Sequence, residues 1–269
     1  GDGLSEWTVW GAYNRSDFES TVSVAPYDAV LNQGLIGADT LLGDRVLIGA
    51  ALGYENLDAD TIFNGGGQDL SGFSVTPYAA VLINDILSAD FAVGYTHLSI
   101  EQDRLDPVNG AALLADIDGH RFFSSATLNG YYPWGDITFG AHVGVLYAAE
   151  IQDAYTEIGG PSARTVRAKH LDLGQAFVGF DIGYLLGDFE PYAHAMYRND
   201  LGRDDGSLAG GLPGNVGSTT PADDDEVQLG LGVRYFGGSG ITASAEWVRT
   251  NGRALFDDDT FSFSLRVPM

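Results

Sequence analysis

The stretch ITFGAHVGVLY, residues 137–147, places Ile137, Phe139, Ala141, Val143, Val145 and Tyr147 on one parity, and Thr138, Gly140, His142 and Gly144 on the other. A period of two is the period of a β-strand, so one face of this strand is apolar and the other is small or polar. The pattern returns at Leu87, Ala89, Phe91, Val93 and Tyr95, at Val178, Phe180, Ile182 and Tyr184, and at Val227, Leu229, Leu231, Val233 and Tyr235. Each of these rows ends in tyrosine. Helical spacing of apolar residues is hardly ever sustained, and the chain reads as all-β.

Between the alternating runs, short turns take turns with long polar connections. The short ones are LGDR (42–45), INDI (83–86), PWGD (133–136), LLGD (185–188) and FGGSG (236–240). The long ones cover 58–69, 103–119, 153–169 and 200–225. About twelve strands result, at 7–14, 29–41, 46–57, 70–82, 87–100, 120–132, 137–150, 170–185, 189–199, 226–236, 241–249 and 260–269. The expected architecture is a single antiparallel up-and-down barrel, with an even strand count that puts both termini on the short-turn side.

The period alone does not say whether water or lipid surrounds such a barrel. The polar face decides. It carries Gly49, Ala51 and Gly53, or Ser88, Asp90 and Gly94, where a soluble barrel would carry Lys and Glu, and Lys occurs once in the chain, at Lys169. Small residues with occasional charges suit a crowded interior, which leaves the apolar rows facing lipid. Roughly ten residues at about 3.3 Å rise and about 45° tilt span an apolar layer of about 25 Å. Closure of the sheet is then required, because an open edge in lipid leaves backbone groups unpaired at several kcal/mol each.

Composition narrows the function classes. The chain has 269 residues, no cysteine and a formal net charge of -24, which excludes thiolate chemistry and argues against a nucleic-acid partner. No G-x-S-x-G elbow and no H-x-x-x-H spacing occurs, so a hydrolase is disfavoured and neither a metal nor a cofactor is expected. On strand phase the candidate lumen-lining residues are Glu55, Asp90, Arg121, His142, Asp181, Glu190, His194, Arg198, Arg234, Glu246 and Arg266. Charges of both signs there are expected to pair across the interior, filling it or lining a wet track. Tyr54, Tyr95, Tyr147, Tyr184, Tyr235 and Trp247 are the candidate aromatic girdle at the lipid–water boundary. Acidic clusters at 56–60, at Asp204 and Asp205, at 223–226 and at 257–259 read as solvated loops; uptake of divalent cations bridging to lipopolysaccharide phosphates is the alternative.

Five segments, in order, carry a family resemblance: GLIGADTLLGDRVLIGAALGYEN, GFSVTPYAAVLINDILSADFAVGYTHL, ITFGAHVGVLYAAEIQDAYTEIGG, LGDFEPYAHAMYRND, and DEVQLGLGVRYFGGSGITASAEWVRTNGR followed by FSFSLRVPM. Together they resemble the β-barrel translocator domain of bacterial autotransporters, the type V secretion systems, over essentially the whole chain. The resemblance implies an integral outer-membrane location with both termini periplasmic, and anchoring or export of a passenger polypeptide without catalysis. It implies contact with outer-membrane lipid and lipopolysaccharide, and recognition by the barrel assembly machinery of a C-terminal signal, here Phe261, Phe263, Leu265, Val267 and Met269. The family usually closes on Phe where this chain has Met269. With only Gly1 to Glu6 before the first strand, residues 1–269 are expected to be one barrel domain, with strands from about Trp7 to Met269 and no passenger in this chain. A stand-alone barrel acting as a small diffusion pore or a structural envelope protein is the alternative.

Overall fold

A computed structural model of the chain describes residues 7–21, 26–62, 64–204, 224–253 and 256–269. Its strands are β1 (Trp7–Ser20), β2 (Tyr27–Leu42), β3 (Val46–Thr61), β4 (Gly66–Leu82), β5 (Leu87–Leu105), β6 (Ala112–Trp134) and β7 (Ile137–Gln152). Two short strands follow, β8 (Tyr155–Thr156) and β9 (Thr165–Val166), and then β10 (Lys169–Tyr184), β11 (Phe189–Asp204), β12 (Asp225–Phe236), β13 (Thr242–Asn251) and β14 (Phe256–Pro268). All except β8 and β9 form one closed barrel in which each strand pairs with its sequence neighbours and β14 pairs back onto β1. The twelve barrel strands expected from the sequence are all present.

The seam runs from Thr8 opposite Pro268 to Ser20 opposite Phe256. Met269 lies just past the strand, and its N–H donates to the Trp7 carbonyl at 2.8 Å, so pairing continues to the last residue. Pro268 lacks an N–H but sits at the strand end, where a missing donor costs little. At the short turns, Gly135 and Gly187 have φ of 64° and 65°, a left-handed conformation that side chains resist.

Strand alternation changes sign partway along the barrel. On the outer face of β5, Phe91, Val93 and Tyr95 are followed by His97, Ser99 and Glu101, all exposed. On the inner face, Ser88 and Asp90 give way to the buried Leu98 and Ile100. The same switch occurs in β3, where exposed Ile48, Leu52 and Tyr54 are followed by exposed Asp58 and Asp60. Beyond the tyrosines the barrel therefore has the polarity of a soluble protein, with a core of Leu70, Leu98, Ile100, Ala115 and Ile117, against which Leu57 and Tyr155 pack. Trimming one methyl group there, as in Ile100→Val, is expected to cost about 0.5–1.5 kcal/mol in chemical denaturation.

This inversion corrects the loop expectations at 58–69 and 103–119. Most of both segments is strand, since β3 runs to Thr61, β4 starts at Gly66, β5 runs to Leu105 and β6 starts at Ala112. Their outer face carries the exposed Asp58, Asp60, Asp69, Asp116 and Asp118, so the segments look like polar loops when only their polarity is read. The connection at 153–169 also has structure of its own. It holds the β8–β9 pair, bridges Ile158 to Leu114, and presents Glu157 to Arg104 at 2.6 and 2.7 Å. In the connection at 200–225, residues 205–223, with Asp205 and Asp223, lie outside the described residues, as does Phe63 in the 58–69 segment.

Candidate functional site

Side chains on neighbouring strands can meet on either face of a sheet. Side chains two or three strands apart can meet only on the concave side of a barrel, so such contacts map its interior. Arg121 on β6 donates to Glu55 on β3 at 2.6 Å and to Glu150 on β7 at 2.8 Å. Arg266 on β14 holds Asp39 on β2 at 2.8 and 2.9 Å. Tyr78 on β4 also donates to Asp39, at 2.7 Å, and Trp10 on β1 donates through its indole N–H to the Tyr78 hydroxyl.

A second network joins β7 and β10 to β13, mostly near their short-turn ends. Arg234 on β12 contacts Asp181 on β10 at 3.1 Å and Glu190 on β11 at 3.2 Å, with its guanidinium carbon 3.9 Å from the Tyr192 ring centre. Thr138 on β7 donates to Glu190. His194 on β11 meets Glu246 on β13 at 2.7 Å. Towards the long-loop end, Arg198 faces Glu226 at 3.5 Å, and Arg253 binds Glu226 at 2.6 Å and Asp200 at 2.9 and 3.0 Å. Asp90 takes a hydrogen bond from Asn129. His142 lies beside Phe177, over Gly179, where an added Cβ would collide with its imidazole.

Thus ten of the eleven lumen candidates enter ion pairs or hydrogen bonds, and the eleventh, His142, packs against an aromatic ring. Charges withdrawn from bulk water persist only with such partners. The sequence reading missed Trp10, Asp39, Tyr78, Glu150, Tyr192, Asp200, Glu226 and Arg253 as members of these networks. The phase signal was available for several of them: Glu226 shares parity with Gln228, Gly230 and Arg234, and Asp39 with Leu35 and Gly37. Removing Arg234 leaves two carboxylates in the lumen, so Arg234→Ala is expected to raise single-channel conductance in a planar bilayer and favour cations. Unchanged conductance in both Arg234→Ala and Arg198→Ala would leave the networks a packing role only.

On the outside, Tyr54, Tyr95, Tyr147, Tyr184 and Trp247 are exposed, whereas Tyr235 is half-buried with its ring 5.1 Å from that of Phe189. Their strand positions divide them. Tyr54 and Tyr95 stand at the long-loop side of the apolar rows, their rings tilted against Phe73 and Phe122 at 5.0 and 5.1 Å, while Tyr184 and Tyr235 close strands at the short-turn end. Trp7, Tyr132 and Trp134, also exposed at the short-turn end, were not among the sequence candidates. Along β14, Phe261, Phe263 and Leu265 are exposed, Val267 is half-buried and Met269 is exposed.

At the long-loop end Glu157 is buried, and burial alone would raise its pKa. Its hydrogen bonds and attraction to Arg104, with help from Arg164, outweigh burial and hold it below the ordinary 4.5. A lowered carboxyl pKa contributes stability above the ordinary value and loses it as pH falls through the folded value. The 153–168 segment is therefore expected to stay docked from pH 7 to pH 5 and to loosen only well below pH 4.5, seen as faster hydrogen exchange at Leu114 and Ile158.

The profile described as "Autotransporter beta-domain" matches residues 9–247, most of the barrel. The chain belongs to the autotransporter β-domain family. This autotransporter β-domain is similar in structure to the translocator domain of the autotransporter NalP from Neisseria meningitidis, with 15% identity, a TM-score of 0.83, and coverage of 98% of this chain and 89% of that one. It is also similar to the β domain of the Bordetella autotransporter BrkA, at 17% identity and TM-score 0.75, covering 97% of this chain and 98% of that one. The transport unit of AIDA-I from Escherichia coli follows at 11% identity and TM-score 0.56, covering 98% and 90%. At these identities the structural likeness shows the fold. No curated protein matches the chain in sequence. Family membership makes this an autotransporter-type barrel of the bacterial outer membrane that serves a passenger polypeptide.

Proposed function

We propose that this autotransporter β-domain is the non-enzymatic membrane unit of its system, with the passenger's track running along the paired polar interior. What supports the reading most is the distribution of side chains: exposed apolar rows that end in tyrosine on one face, and Arg, Asp and Glu pairs that bridge strands two or three apart on the other. In this reading Glu55, Asp90, Arg121, His142, Asp181, Glu190, His194, Arg198, Arg234, Glu246 and Arg266 line that interior. Tyr54, Tyr95, Tyr147, Tyr184, Tyr235 and Trp247 sit at the lipid–water boundaries. Residues 1–269 act as one membrane domain.

Both termini lie on the periplasmic side, and the long-loop end faces outward among lipopolysaccharide. The exposed row Phe261, Phe263 and Leu265, continued by Val267 and Met269, supplies the strand end that the barrel assembly machinery engages. Support comes from the seam, where that row forms one of the two strands that close the sheet. The test is a tagged passenger placed before Trp7 in a Gram-negative host. Protease added outside intact cells is expected to remove the tag when the barrel is present. A tag protected in the periplasm beside a folded barrel would overturn the reading.

A further inference from the structure

On the outer face, one residue pair beyond the tyrosine belt, His97 on β5 stands directly opposite His120 on β6. Their ring centres are 5.3 Å apart and their planes meet at 40°. The Tyr95 hydroxyl lies 2.8 Å from His120 Nδ1, which engages that nitrogen and leaves Nε2 for another partner. Neither ring takes part in the lumen networks, and the lipid-facing rows end one position earlier, at Tyr95 and Phe122.

The spacing matches a shared ligand. A divalent zinc or copper ion binds imidazole nitrogen at about 2.0–2.1 Å, which puts each ring centre about 3.2 Å from the ion. Two such rings at a tetrahedral angle have centres about 5.2 Å apart, close to the separation observed. In metal sites the second imidazole nitrogen is characteristically tied down, fixing tautomer and ring orientation. The Tyr95–His120 contact does this. Outward neighbours on the same two strands are Ser99 opposite Asp118 and Glu101 opposite Asp116, a negative setting that draws cations.

We propose that His97 and His120 form a two-imidazole site for a first-row divalent transition ion, Zn2+ or Cu2+, with Tyr95 as its positioning residue. Imidazole donors suit these ions, whereas Mg2+ and Ca2+ take oxygen ligands. The remaining coordination positions face water at the barrel rim.

The experiment titrates the purified barrel in detergent micelles with Zn2+ by calorimetry and with Cu2+ by electron paramagnetic resonance. One saturable site per chain is expected, with hyperfine splitting from two imidazole nitrogens in the copper spectrum. His97→Ala and His120→Ala each weaken Kd at least about 10-fold and remove the two-nitrogen signature, while Tyr95→Phe weakens it about 10-fold with both nitrogens kept. Heat-modifiable gel mobility verifies that each variant is folded; the side chains lie on the outer face, so folding does not depend on them. Absence of saturable binding in the unmodified barrel would overturn the assignment. So would binding unchanged in folded His97→Ala and His120→Ala, which would identify an adventitious ion only, or displacement by equimolar Mg2+, which would move the ion to the acidic strand ends.

Discussion

Arg121→Met is expected to destabilise the barrel by about 3–5 kcal/mol, the range for removing one partner of a buried ion pair. Arg121 is the cation shared by Glu55 on β3 and Glu150 on β7, at 2.6 and 2.8 Å. Both carboxylates are mostly shielded, with side-chain exposures of 8% and 14%, so neither can recover full hydration when the guanidinium is lost. The substitution keeps the volume of the stem and removes only charge and donors. Urea unfolding in micelles, followed by tryptophan fluorescence, would measure the loss. Adding Glu55→Gln and Glu150→Gln to Arg121→Met should restore most of it, because the penalty comes from stranded charge. A loss below about 1 kcal/mol, the range of exposed pairs, would mean that lumen water screens the carboxylates.

The barrel was legible because its strands repeat one physical statement, apolar outward and small or charged inward, at a length that fits a membrane. The tyrosines at the ends of those rows marked where the statement stops. Beyond them the same rule misplaces the strand ends. After Tyr95 the sequence continues THLSIEQD, and the alternation persists with the apolar residues moved to Leu98 and Ile100. Strand parity is continuous there, while the outer face changes from apolar to polar side chains, so the hydrophobic phase inverts without any break in pairing. An assignment that ties strand to outward apolarity stops too early, and β5 and β6 are accordingly longer than the sequence indicated.

Ion-pair partners were less accessible to sequence than the residues themselves. Strand phase placed Arg266 on the inward parity, but its meeting with Asp39, 227 positions away, depends on how β14 and β2 flank β1 once the barrel closes. Periodicity fixes the face of a side chain; stagger between strands fixes which charge it faces, and no local pattern encodes stagger. Tyr78 and Trp10 joined the Asp39 network for the same reason. Aromatic residues at strand ends suggest a girdle, yet the even parity of Trp10 turns its indole inward.

Phe91→Arg provides the sharpest test of where lipid ends. Phe91 is the middle residue of the outward row Leu87, Ala89, Phe91, Val93 and Tyr95, and is 51% exposed on the barrel surface. If that surface is covered by hydrocarbon, an arginine near its midplane costs about 2–4 kcal/mol. Ser99→Arg lies on the same strand and face, further along β5, beyond Tyr95 and opposite Asp118. There the new cation meets water and a carboxylate, and the expected change is within about 0.5 kcal/mol of zero, as for ordinary surface substitutions. Both variants would be measured by equilibrium unfolding in phospholipid vesicles, since detergent would blur the boundary. Equal costs at the two positions would contradict the inversion of solvent at Tyr95. A large cost at Ser99 alone would place the hydrocarbon on the long-loop side of the tyrosines, and would overturn every assignment of inner and outer polarity made from their position.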